Sequence, residues 1–241
     1  MRFPAILTAM ALAAAMPVPA FAASYDAFAS FRSGTGPFGT GDGQFVYAVG
    51  NGGGFLLTRT TGCPANTVCR QTAAASATDP YVFKSTIGAF TSGTVSVPGN
   101  ALVLRPGQNN SVQIAWIAPV SGRYNITAQF SRLDSARDFV AISPFFATVR
   151  GGPQTVEAFT LLSPNAPVFN YTKKIAIGSG GYFAFDVNNA GGGYASDSTG
   201  VRFLVSSVVP EAATWGMMIV GLGAIGAGLR RRNPALARAI A

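Results

Sequence analysis

Between residues 44 and 208 the apolar residues fall into short alternating runs, a pattern that points to paired sheets. Val, Thr, Phe and Tyr alternate with polar residues inside stretches bounded by Gly, Pro, Asn and Ser, the period of a strand buried on one face. Stretches rich in Leu, Lys and Glu at helical spacing are missing from the same region. Strands are expected over 44–49, 55–59, 94–97, 101–104, 112–117, 124–130, 139–149, 155–162, 168–177, 182–187 and 201–208. So many short strands punctuated by turn signals predict an all-β domain, a β-sandwich of jelly-roll type. The Gly-rich stretch 31–43 and the Ala/Ser/Thr-rich stretch 72–80 have no usable period and read as loops.

The two ends of the chain follow other rules. From Ala212 to Leu229 there is no charge, and a helix of that length spans roughly 27 Å, close to the hydrocarbon thickness of a bilayer. Arg230, Arg231 and Arg232 follow at once; they resist entry into lipid and favour the cytoplasmic side. One C-terminal transmembrane helix is therefore expected, with Trp215 at the outer interface and the bulk of the chain outside. At the other end Arg2 precedes an apolar run over 6–16, and Ala20-Phe21-Ala22 fits the small-x-small rule for signal cleavage. Cleavage between Ala22 and Ala23 is expected. The resulting division is a signal peptide over 1–22, a sandwich domain over 23–208 and a tail over 209–241.

Composition narrows the chemistry. Setting aside Arg2, Glu211, Arg230, Arg231, Arg232 and Arg238 leaves twelve basic and eight acidic residues in 23–208, a net charge of +4. These charges are scattered, so no basic stripe with interleaved aromatics supports nucleic-acid binding. The chain has no histidine, which removes Ser-His-Asp and Cys-His catalysis and His-ligated zinc. Carboxylate chemistry would have to draw on Asp134, Asp138, Glu157, Asp186 and Asp197, of which Asp134 and Asp138 read as turn residues. No catalytic residue, metal site or cofactor is assigned, and the chain is read as a non-enzyme. Asp186, Asn188, Asn189 and Asp197 are oxygen donors beside a Gly-rich loop, read as turn residues ahead of a calcium site because their spacing fits no EF-hand rule. Cys63 and Cys69, close together in a chain bound for an oxidising compartment, are expected to close a small loop as a disulfide.

Pro210-Glu211-x-x-x-Trp215-x-Met217-Met218, the Gly-rich apolar run and the terminal Arg cluster together resemble the PEP-CTERM sorting signal, in the variant with Trp five residues after the first Pro. The chain carries Ala212 where the family has its second Pro, and Gly216 where Ala is usual after the Trp. The resemblance implies export in a Gram-negative bacterium, transient anchoring, and processing at the motif by an exosortase, a membrane enzyme of cysteine-transpeptidase type. A softer resemblance to β-sandwiches of PEP-CTERM surface proteins runs from Leu102-Val103-Leu104-Arg105-Pro106-Gly107 through Trp116, Ala118-Pro119 and Gly122-x-Tyr124 to Leu133-Asp134. It implies a fold and no reaction. The expected function is that of an exported surface or matrix protein, structural or adhesive, associated with exopolysaccharide. The alternative is a carbohydrate-binding module using Tyr47, Tyr81, Tyr182 or Tyr194 to stack on sugars; a secreted glycan hydrolase ranks behind it.

Overall fold

The computed structural model describes residues 23–31, 44–50, 56–58, 61–72, 78–135, 139–191, 197–208, 216 and 220–225. The elements are β1 (Ser24–Asp26), α1 (Ala27–Ser30), β2 (Phe45–Val49), β3 (Thr67–Gln71), β4 (Tyr81–Ser85), β5 (Phe90–Ser92), β6 (Val95–Val97), β7 (Leu102–Arg105), β8 (Val112–Ile117), β9 (Gly122–Arg132), β10 (Val140–Ala147), β11 (Thr155–Val156), β12 (Thr160–Leu162), β13 (Val168–Ile177), β14 (Tyr182–Asn188) and β15 (Thr199–Ser207). All strand pairs are antiparallel. One sheet runs β13-β9-β15-β7-β4-β3, with β1 added on β15; the other runs β11-β10-β14-β8-β2, with β12 added on β10.

Alternation explains how the two sheets meet. Ile114 and Trp116 of β8 and Phe183, Phe185 and Val187 of β14 point inward against Tyr124, Ile126 and Phe130 of β9 and Val201, Phe203 and Val205 of β15. Rings interlock across the gap at 4.6 Å for Trp116–Tyr124 and 4.8 Å for Phe130–Phe185, separations at which edge-to-face contacts add to simple area burial. The chain is thus an all-β sandwich. From β7 onward the main strands switch sheets, β7 to β8, β8 to β9, β9 to β10 and β13 to β14 to β15. Tyr124 donates its hydroxyl to the Val120 carbonyl at 2.6 Å, the device that fixes a tyrosine corner in many sandwiches. Burial raises the Tyr124 pKa above its ordinary value. Tyr124→Phe is expected to cost about 1 kcal/mol, read as a lowered urea midpoint with an unchanged slope.

A smaller cluster lies on the outside of the first sheet. Cys69, Phe83 and Val103 are buried there with Val97, and the β5–β6 hairpin contributes Phe90 and Val95. The Cys63–Cys69 disulfide forms and brings Cys63 against this cluster.

The structure differs from the pattern read in the sequence at several elements, and β1, α1 and β5 have no counterpart in the expected strands. β3 and β4 were not expected; in β3 both Cys69 and Arg70 are buried, so the alternation that marks a half-exposed strand is missing. The stretch 55–59 contributes only a bridge from Leu56 to Ala48 among its described residues. The expected strand over 155–162 is two short ones, and Pro144 accounts for the break. The Pro144 carbonyl accepts from the Glu157 N–H at 2.9 Å, so the Pro nitrogen, on the same edge of β10, faces 157–159 with no hydrogen to offer. β12 pairs with 140–142 and β11 with 145–146, and the chain bows out between them.

Residues 23–208 cluster as one compact unit. The expected signal peptide lies outside the described residues. Of the expected transmembrane segment, Gly216 and residues 220–225 are helical. Among the described residues no helix is long and apolar enough to cross a membrane.

Candidate functional site

Both ends of the sandwich emerge at one place. The Ala23 N–H donates to Ser207 Oγ at 2.7 Å and the Ser207 N–H donates to the Ala23 carbonyl at 2.8 Å. β1 then pairs with Leu204 to Ser206, beside the last strand. Val208 is still held, through its N–H on the Arg123 carbonyl. Asp26 caps α1 by accepting from the Phe28 and Ala29 N–H groups, as an N-cap carboxylate does. Lys84 Nζ donates to the Phe28 carbonyl and sits 5.0 Å over the Phe28 ring. The predicted sorting residues Pro210, Glu211, Ala212, Trp215, Arg230, Arg231 and Arg232 lie outside the described residues, as do Ala20 and Ala22 of the cleavage site.

The candidate carboxylates are dispersed in their roles. Asp134 and Asp197 are buried, Asp138 is outside the described residues, and Asp186 faces outward on β14. Asn188 and Asn189 turn their side-chain oxygens back on the Ala190 and Gly191 N–H groups. Among the described residues no three His, Cys, Asp or Glu side chains cluster as a metal site would require.

Glu157 closes the open side of the sandwich. It accepts from Tyr171 Oη at 2.7 Å and forms an ion pair with Lys173, whose ammonium also lies 4.5 Å over the Phe146 ring. Burial pushes the Glu157 carboxyl up, but the hydrogen bonds from Lys173 and Tyr171 outweigh it and hold its pKa below the ordinary value of a glutamate. Because the folded pKa is the lower one, this stabilisation is complete above the unfolded value and is lost as pH falls through the folded one. Glu157→Gln is expected to cost about 1 kcal/mol at pH 7 and to make stability less pH-dependent below pH 4.5, measured by urea unfolding at stepped pH.

The outer face of the second sheet carries a groove. It measures about 480 Å³ and is lined by Phe139, Ala141, Ser143, Phe159, Leu161, Asn188 and Ala190. Phe159 stands 62% exposed and Phe139 50%; Phe159 sits in the stretch that Pro144 forces away from the sheet. Ser143, Asp186 and Gln113 are neighbours in register across β10, β14 and β8. Asp186 Oδ1 accepts from Ser111 Oγ at 2.6 Å and from Gln113 Nε2 at 2.9 Å. Gly50 backs this trio, with its N–H on the Ser111 carbonyl.

The tyrosines proposed from the sequence as sugar platforms fare differently. Tyr47 is a core residue, 3% exposed, because β2 places Phe45, Tyr47 and Val49 on the inner face. Tyr81 stacks on Phe83 and takes a hydrogen bond from Arg105. Tyr182 lies half-buried edge-on to Phe145, and Tyr194 is outside the described residues. The groove aromatics Phe139 and Phe159 were missed because both sit in runs that read as strand. Pro144 opposite 157–159 was the available signal.

The chain is similar to several solved structures. It is similar to a carbohydrate-binding module, TmCBM61, solved in complex with β-1,4-galactotriose, at 13% identity and TM-score 0.35 over 60% of this chain and 90% of that one. It is similar to the C-terminal family 22 carbohydrate-binding module of Clostridium thermocellum Xyn10B, at 12% identity and TM-score 0.32 over 62% and 90%. The K3 adhesin domain of Lys-gingipain from Porphyromonas gingivalis gives 13% and 0.31 over 60% and 93%. No curated protein matches the sequence. The family model for the PEP-CTERM protein-sorting motif matches residues 208–232, starting at the residue after the last β-strand, and the chain therefore carries a PEP-CTERM sorting motif.

Proposed function

We propose that this chain is an exported surface protein of a Gram-negative bacterium, a jelly-roll sandwich that serves as a structural or adhesive module in an exopolysaccharide layer. The observation that carries this reading is the sorting motif at 208–232, which begins as β15 ends at Ser207. In this reading residues 1–22 direct export and are removed. The apolar stretch 212–229 then spans the inner membrane with Arg230, Arg231 and Arg232 inside. An exosortase-type enzyme cuts at or near Pro210 to Ala212 and releases the domain to the surface or beyond. The pairing of Ala23 with Ser207 supports the scheme, since both cuts would fall just outside a finished sheet and cost it no strand.

The test is the intact mass of the mature protein from the producing bacterium, with and without its exosortase. Loss of the tail at 210–212 only when the enzyme is present is the expected result. A C-terminal segment retained in both strains would make the tail an ordinary anchor. No reaction is assigned to the domain. A second reading, a carbohydrate-binding module, is favoured by the groove on the outer face of the second sheet.

A further inference from the structure

We propose that the groove across β10, β12 and β14 binds a neutral polysaccharide, stacked on Phe159 and Phe139 and hydrogen-bonded by Ser143, Asp186, Gln113 and Asn188. The proposal rests on the surface-protein reading for its setting only; the groove itself stands on geometry.

The floor is made of small side chains. Ala141 and Ser143 of β10 line the groove with Asn188 and Ala190, so a flat ring can approach this part of the sheet closely. Phe159, Phe139 and Leu161 rise at one side, each 45% or more exposed. Exposed aromatic carbon beside a concave floor of this volume is how small-ligand sites are commonly built, with a few fixed polar groups supplying orientation.

Those polar groups are present and have capacity to spare. Both donors to Asp186 use Oδ1, so Oδ2 is open among the described residues. Ser143 Oγ has no partner there either, and Asn188 uses only its oxygen, on the Ala190 N–H. An occupant that was purely apolar would bury these groups without replacing their water, at a cost for each. The occupant must therefore offer apolar faces and hydroxyls together, which is the chemistry of a sugar ring.

Charge decides which sugars. Among the described outward-facing residues of β8, β10 and β14, Asp186 is the one charged side chain. A carboxylate with no cation beside it disfavours uronates, sulfates and phosphates at short range. The positive charge of the domain as a whole would attract such anions elsewhere, through a contact that salt screens. Neutral glycans are the class that fits.

The experiment is affinity electrophoresis of the full chain, solubilised in a polyoxyethylene detergent without sugar headgroups. The gels contain xylan, galactan, glucomannan, hydroxyethylcellulose or the neutral polysaccharide fraction of the producing cells, against alginate and polygalacturonate. At least one neutral polymer is expected to retard the chain, with no dependence on salt. Phe159→Ala is expected to weaken that retardation roughly tenfold, the size of effect an anchoring aromatic gives on truncation. Ser143→Ala is expected to weaken it severalfold. Ile87→Ala, equally exposed but in the turn after β4, should change nothing. Phe159 is exposed enough that its loss leaves the fold intact, checked by an unchanged thermal midpoint.

Failure of every neutral polymer to retard the chain overturns the proposal, as does retardation indifferent to Phe159→Ala. So does a self-associated chain in sedimentation that Phe159→Ala turns to monomer, since the occupant would then be a second copy. None of these results touches the mass of the mature C-terminus. A processed tail with an unresponsive groove rejects the groove alone, and a responsive groove with an unprocessed tail rejects the sorting scheme alone.

Discussion

Trp116→Ala is expected to remove a large part of the stability of the sandwich. Trp116 is fully buried near the end of β8, with Phe45 of β2 and Phe183 of β14 as its register partners. Its ring touches Tyr124 at 4.6 Å and Tyr25 at 5.4 Å, so it joins β8 to β9 of the opposing sheet and to the strand next to the chain's expected mature end. Truncating a buried Trp to Ala costs about 3–5 kcal/mol, a large part of the roughly 5–15 kcal/mol that holds a domain of this kind together. The indole Nε1 has no hydrogen-bond partner among the described residues, so the loss is one of packing. Trp116→Phe should then cost much less, about 1–2 kcal/mol. Urea unfolding of the full chain, followed by far-ultraviolet circular dichroism, separates the two. Equal losses would mean that the indole N–H carries the energy, and an unchanged midpoint for Trp116→Ala would place the core elsewhere.

The same residue shows why the fold was legible in the sequence. In β8 and β13 the period-two pattern is uninterrupted, and the expected limits 112–117 and 168–177 are those observed. Where a strand is buried on both faces or pinned by a covalent bond, as β3 is through Cys69 and Arg70, the period vanishes and so does the prediction. Parity is the other weak point. Tyr47 was read as a surface platform, yet the pleat puts it inward with Phe45; a shift of one residue in the assumed face exchanges core for surface. The sorting motif was readable because its parts are consecutive. The groove was not, since it is assembled from residues at 139–143, 159–161 and 188–190, which only the strand order brings side by side.

Gly50→Ala is expected to destabilise the domain by about 3 kcal/mol, at the upper end of the cost of overfilling a packed site. The added methyl would lie 1.8 Å from Ser111 Oγ and 2.3 Å from Asp186 Oδ1, distances at which something must move. Gly50 has no unusual backbone angle, so space alone requires glycine here. The groups that would have to move also organise the polar row of the groove: Ser111 is fully buried and holds Asp186 Oδ1, which Gln113 shares. Two readouts should therefore change together, the unfolding midpoint and the neutral-glycan retardation. A double-mutant cycle isolates the cause, because Ser111→Gly removes the nearer of the two obstructing oxygens. Gly50→Ala should cost less in that background, with a coupling of about 1 kcal/mol or more. Strict additivity would mean that the strain is relieved through Asp186 alone. In that case the retardation should weaken further than stability does, since the carboxylate itself would have been turned out of the row that Ser143 and Gln113 share with it.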